Sequence, residues 1–194
     1  MTDWIDAEGF RANVGIILVN DAAQVLMGGR SGGRGWQFPQ GGIRLGESVE
    51  AALYRELYEE IGLSAADVNW LGVTADWIHY RLPPQYRRRF TEPYVIGQKQ
   101  RWVLLELVAD EAKIRFDVSD ETPEFETYKW SDYWEPVREV VFFKRKVYRQ
   151  ALLELAPLIR ASPLTPPAWW QEFDGSERRA VRPSRRRRLR PLVR

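Results

Sequence analysis

GGIRLGESVEAALYRELYEEIGL, residues 41–63, is the stretch that decides the reading of this 194-residue chain. Ser48 fits a helix N-cap with Glu50 in the first turn, and Gly62 fits the residue that ends the helix. Between them Leu53, Leu57 and Ile61 recur at i, i+4 and i+8 and make one core-facing stripe. Glu56, Glu59 and Glu60 fall beside that stripe, within roughly one third of the circumference at about 100° per residue. Like charges this close destabilise a helix unless a cation sits among them. Oxygen-only ligation suits a hard divalent ion such as Mg²⁺ or Mn²⁺, so the stretch reads as a metal site that handles phosphate.

Composition narrows the chemistry. There is no cysteine, which excludes disulfides, thiolate catalysis and iron–sulfur clusters. The single histidine, His79, excludes multi-histidine zinc sites, and its place among Trp77, Ile78 and Tyr80 favours a structural role. Carboxylates, arginines, lysines and bound metal remain. No apolar run approaches the roughly 20 residues of a membrane span. The N-terminus MTDWIDAEGFR lacks the marks of a signal peptide, so a cytoplasmic protein is expected.

The net charge of +2 hides a division. Residues 162–194 carry nine arginines against Glu172, Asp174 and Glu177, whereas residues 1–161 carry 20 basic and 24 acidic side chains. One domain over residues 1–161 is therefore expected, followed by a disordered, Pro/Arg-rich basic tail over 162–194. The tail reads either as a solvated charged segment or as an electrostatic attractant for nucleic acid.

Residues 13–20 (NVGIILVN) read as a buried strand, 25–27 as its return, and 30–35 as a glycine loop. Further strands are expected over 70–81, 95–108 and 128–130, with a Pro/Arg-rich loop at 82–93 and a second amphipathic helix over 139–160. Strands and helices mix without a βαβ repeat, which points to an α/β (α+β) fold with a mixed sheet between helices.

As a pattern, Gly41-x5-Glu47-x7-Arg55-Glu56-Leu57-x-Glu59-Glu60-x-Gly62-Leu63 matches the Nudix box at every defined position. The chain thus resembles the Nudix hydrolases, which act on nucleoside diphosphates linked to another moiety. The resemblance implies the Nudix fold and divalent metal, more than one ion. It makes Glu56, Glu59 and Glu60 the metal ligands, with Gly41 beside them and Gly42 allowing close backbone approach. It also implies that Glu47 and Arg55 pair to brace the loop on the helix, with Gly62 closing it.

Segments outside the box, WQFPQGG (36–42), GQKQRW (97–102), TPEF (122–125), YWEPV (133–137) and VVFFKR (140–145), resemble the bacterial RNA pyrophosphohydrolase branch. That branch is itself similar to dinucleoside polyphosphate hydrolases. By this resemblance Glu124 joins Glu56, Glu59 and Glu60 as a catalytic and metal-binding carboxylate. Gln98, Lys99 and Lys144 would contact the 5′ phosphates, and Arg11 a phosphate or the flank of the first nucleotides. Phe143 and Val141 would offer a platform for a base. The expected reaction removes pyrophosphate from 5′-triphosphorylated RNA, leaving a 5′ monophosphate that triggers mRNA decay. The alternative is asymmetric hydrolysis of diadenosine tetra- or pentaphosphate, and Tyr80, 17 residues beyond the box, does not separate the two.

Overall fold

A computed structural model of the chain describes residues 2–33, 35–87, 93–118, 122–160 and 164–173. Most of the tail, residues 88–92 of the arginine-rich 82–93 loop and Glu121 lie outside the described residues. The centre of the fold is a parallel pair. Strand β1 (Phe10–Val19) runs beside β7 (Gly97–Leu107), in register from Phe10 opposite Gly97 to Val19 opposite Glu106. From Val14 in β1 and from Trp102 to Leu105 in β7 both strands are buried on two faces and apolar on two faces, while their first halves carry polar side chains. Strands β5 (Val68–Val73) and β6 (Ile78–Arg81) pair antiparallel with β7, and β8 (Phe125–Ser131) pairs antiparallel with β2 (Val25–Arg30). The short β3 (Trp36–Gln37) also joins β2.

Strand β1 changes partner along its length, and this opens the molecule. At its C-terminal end Val19 faces Val25 of β2. Nearer its start, Asn13, Val14 and Gly15 face Gly42, Gly41 and Gln40 of β4 (Gln40–Gly42). The mixed sheet therefore splays, and helices cover both faces. On one face Val14, Ile16, Leu18, Val103 and Leu105 meet Leu53, Leu57 and Ile61 of α1 (Val49–Ile61). On the other, Ile17, Val19, Trp102 and Leu104 meet Val147, Tyr148, Ala151 and Leu152 of α3 (Arg145–Leu155).

Helix α1 has the expected ends. The Ser48 hydroxyl accepts the Ala51 N–H at 3.1 Å, and Gly62 at φ 73° donates its N–H to Tyr58. The strand expected over 70–81 is instead two strands. At Thr74 the N–H goes to the Trp102 carbonyl while the side-chain oxygen accepts the Trp102 N–H, which breaks the run between β5 and β6. The single helix expected over 139–160 is also corrected. Helix α2 (Pro136–Glu139) ends at Val140, where the chain turns extended through Val141. One 3-10 turn (Phe142–Lys144) follows before α3 begins. Two adjacent β-branched valines favour that extended break, which turns Phe143 and Lys144 toward the site. Residues 164–173, placed in the tail by composition, are packed on the body. They make a 3-10 segment (Ala168–Phe173) whose Trp170 is buried against Trp134, because its indole has an apolar surface to cover.

Candidate active site

A cavity of about 780 Å³ opens where β1 leaves β2 and takes up β4. Its walls include Arg11, Asn13, Gln40, Gly41 and Gly42 from β1 and β4, and Glu56 and Glu60 from α1. Gln98 and Tyr80 come from the β6–β7 pair, Glu124 from the loop before β8, and Val141, Phe143 and Lys144 from the helix break. Nine of the eleven residues expected to bind metal or substrate, all but Glu59 and Lys99, thus converge from six parts of the chain. A volume of this size is typical of a small-ligand site.

The box loop is clamped by Arg55. Its Nε and Nη2 both bond the Glu47 carboxylate at 2.9 Å, and Nη2 reaches the Gly42 carbonyl at 2.7 Å. Its Nη1 bonds Glu56 at 2.5 Å and Glu59 at 3.1 Å. The guanidinium therefore ties the loop before α1 to the carboxylate face of α1. Its hydrogen bonds hold the Glu47 carboxyl below the usual carboxylate range.

Glu56 and Glu60 face the cavity under different constraints. Burial pushes the Glu56 carboxyl up, against the pull of Arg55. Enclosure pushes Glu60 well above its ordinary range, and neighbouring Glu56 and Glu124 add to this. The Gln40 N–H, donated to Glu60 at 2.8 Å, only partly offsets them. Gly41 is required here by space: a Cβ would fall 1.7 Å from the Glu56 carboxyl carbon. At Gly42 a Cβ would fall 2.1 Å from Arg11 Nη2.

Crowded, partly desolvated carboxylates with a backbone pressed against them fit a hard divalent cation. As the side chains stand, no three acidic or histidine groups among the described residues form a ready cluster. Arg55 is the cation between Glu56 and Glu59. Glu59 does not line the cavity; its carboxylate is half exposed, with Arg44 at 3.7 Å as a second neighbour.

The third carboxylate of the lining, Glu124, belongs to a linked chain of polar groups. Glu124 accepts Arg30 Nε at 2.8 Å and Gln37 Nε2 at 3.2 Å, while Lys144 donates to the Gln37 oxygen at 3.3 Å. Burial, with Arg30 as a second cause, lowers the Lys144 ammonium to about 8. Arg30 and Gln37 were not singled out from sequence. The signal was available only as their position inside the RSGGRG and WQFPQGG stretches, since their partner Glu124 is some 90 residues away.

At the rim Phe143 lies 5.9 Å from the Tyr80 ring, nearly parallel, and 4.9 Å from Tyr86. Arg11 lines the cavity but is held by Asp3 at 2.8 Å. Lys99 is not brought to the site. Side chains alternate along β7, so Lys99 lies on the opposite face from Gln98 and Gln100. There it pairs with Asp6 at 3.0 Å and sits 4.2 Å over the Trp4 ring. His79 does not line the cavity and packs edge-on against Phe10.

The pattern of the NUDIX domain matches residues 9–151. An RNA pyrophosphohydrolase of Legionella pneumophila is 56% identical over 162 residues, covering 84% of this chain and 92% of that protein. An RNA pyrophosphohydrolase of Pseudomonas aeruginosa is 54% identical over 157 residues, covering 81% of this chain and 98% of that protein. Among solved structures, the E. coli dihydroneopterin triphosphate pyrophosphohydrolase superposes with a TM-score of 0.59 at 22% identity. That match covers 73% of this chain and 94% of the other, and it is a likeness of fold.

Proposed function

The chain belongs to the Nudix hydrolase family, and from that premise we propose that it removes pyrophosphate from the 5′ end of triphosphorylated RNA, leaving a 5′ monophosphate. The observation that carries this reading is the make-up of one cavity. Its lining holds the carboxylates Glu56, Glu60 and Glu124, the cations Arg11, Arg30 and Lys144 interleaved with them, and at the rim the aromatics Phe143 and Tyr86. A polyphosphate that ends in a base needs all three. The relatives named above, similar over four fifths of the chain, support the same substrate.

Glu56, Glu59, Glu60 and Glu124 would hold divalent ions, Mg²⁺ or Mn²⁺ and more than one, with Gly41 giving the backbone access. Such ions, when bound, neutralise a phosphate chain and make water a better nucleophile. Arg11, Gln98 and Lys144 hold the phosphates, Phe143 and Val141 receive the first bases, and a carboxylate among the four glutamates takes the proton of the attacking water. The role is that of a cytoplasmic enzyme that starts mRNA decay by exposing a monophosphate end.

Turnover of 5′-triphosphorylated RNA and of diadenosine tetraphosphate by the same preparation tests the substrate. RNA is expected to be the better substrate, and a dinucleotide turned over far faster than RNA would sink the proposal. Glu59→Gln is expected to abolish hydrolysis while RNA binding persists; unchanged hydrolysis in that variant would refute the site assignment.

A further inference from the structure

We infer that Gln100 is a positioning residue that turns three amide groups, those of Asn13, Gln40 and Gln98, donor end outward into the cavity, where they receive phosphate oxygens. Gln100 is fully buried on β7, behind the cavity wall. Its Nε2 donates to the Asn13 Oδ1 at 2.7 Å and lies 3.4 Å from the Gln40 oxygen and 3.5 Å from the Gln98 oxygen. The Tyr80 hydroxyl donates to the same Gln98 oxygen at 2.8 Å. An NH₂ group has two N–H bonds, so Gln100 serves Asn13 and one of the two longer contacts while Tyr80 holds Gln98, and the three oxygens face inward.

A carboxamide is planar, with an accepting oxygen on one branch and two N–H donors on the other. Engaging the oxygen leaves the donor branch. Asn13, Gln40 and Gln98 all line the cavity, and none of their NH₂ groups has a hydrogen-bond partner among the described residues. Turning Gln100 over would set its oxygen against three acceptors, and turning Asn13 over would bring two NH₂ groups to 2.7 Å. With Gln100 donating, each of the three partners turns its oxygen inward and its donor branch toward the ligand.

The strengths of the links differ. The 2.7 Å bond to Asn13 and the 2.8 Å bond from Tyr80 are firm, whereas the contacts at 3.4 and 3.5 Å are at the limit of hydrogen bonding. Control is strongest over Asn13, which is only 1% exposed. Its NH₂ opens onto the cavity, where a bound acceptor takes the place of solvent. Phosphate oxygens only accept, so a wall of neutral donors orients the chain without placing more positive charge beside the carboxylates.

The inference rests on the polyphosphate part of the function proposed above and is independent of the RNA part. Calorimetric binding of inorganic tripolyphosphate to the full chain tests it directly, beside KM and kcat on 5′-triphosphorylated RNA. Asn13→Asp, nearly isosteric, keeps the Gln100 bond and removes the donor; Asn13→Ala removes it without adding charge. Both are expected to weaken tripolyphosphate binding at least tenfold, and Gln100→Met about threefold. KM should rise in step, kcat should stay within twofold, and binding of RNA with a 5′ hydroxyl should be unchanged. Wild-type affinity for tripolyphosphate in Asn13→Ala and Asn13→Asp overturns the inference. So does a uniform fall of kcat, triphosphate binding and 5′-hydroxyl binding with the melting temperature, which is the mark of a merely structural role. A wild type that binds tripolyphosphate, weakened in these variants, but hydrolyses no RNA upholds the amide wall and refutes the substrate instead.

Discussion

All five N–H donors of Arg55 are engaged by protein oxygens, two on Glu47 and one each on Gly42, Glu56 and Glu59. Lysine has three donors on a point charge and cannot span both sides of the box. Arg55→Lys is expected to destabilise the domain by about 2 kcal/mol in urea denaturation and to lower kcat/KM at least tenfold; wild-type kinetics would refute the clamp. A second residue-scale test concerns acid. Asp67 accepts bonds from Lys113 Nζ at 2.6 Å and from the Ser64 hydroxyl and N–H at 2.6 and 2.9 Å, which lower its carboxyl from 3.8 to about 2. A carboxylate whose pKa is depressed on folding contributes stability that is present above its unfolded pKa and lost as pH falls through the folded one. Here the window lies between about pH 4 and pH 2. Because the Lys113 side chain is 60% exposed, the contribution is about 1 kcal/mol rather than the full value of the shift. Asp67→Asn should remove that part of the pH dependence of unfolding, and an unchanged acid limb would count against it.

The elements that sequence reveals are those whose signals are local. Helix α1 is legible because its caps, its stripe and its carboxylates all lie within 15 residues. The Lys99 contact with phosphate fails because its cause is not local: the register of β7 against β1 decides which of Gln98 and Lys99 meets the cavity. The break between α2 and α3 is hidden for a similar reason: Val140 and Val141 fit a helix by periodicity, and their β-branching only favours an extended break that goes with burial of Val140 in the core. At this scale the glycines give the sharpest test. Gly41 has no positive φ, so its need is space alone. Gly41→Ala should displace the Glu56 carboxyl and reduce kcat by at least tenfold. Gly62 has φ 73°, with Arg115 Cγ 2.6 Å from where a Cβ would be. Gly62→Ala should instead cost about 1 kcal/mol or more of stability with kcat per folded molecule little changed. The two readouts reversed would mean that the box glycines have been misassigned.

For the whole molecule, the question is how a mildly acidic body meets a polyanion. The C-terminal segment packs across α2 and α3, with Trp170 edge-on to Trp134 at 4.7 Å. The guanidinium of Arg138 lies 4.9 Å over Trp169, and that of Arg145 lies 5.3 Å over Phe173. Removing a buried indole costs about 3–5 kcal/mol, so Trp170→Ala should lower the melting temperature of the whole domain by about 6–20 °C. That packing carries the chain to Phe173 on the side of the sheet that holds Phe143 and Lys144. Beyond it, residues 174–194 hold nine arginines against Asp174 and Glu177. Single-stranded RNA yields a salt slope of about −0.7 per phosphate neutralised, so three or four contacts from this segment amount to a slope of about −2 to −3. A chain ending at Phe173 should therefore show a flatter dependence of log KM on log salt for long triphosphorylated RNA, by about that amount. Its kcat, and its KM for a triphosphorylated dinucleotide too short to reach the arginines, should match the full chain. Equal salt slopes for the two proteins on long RNA would mean that the arginines are solvated charge and that the cavity alone holds the substrate.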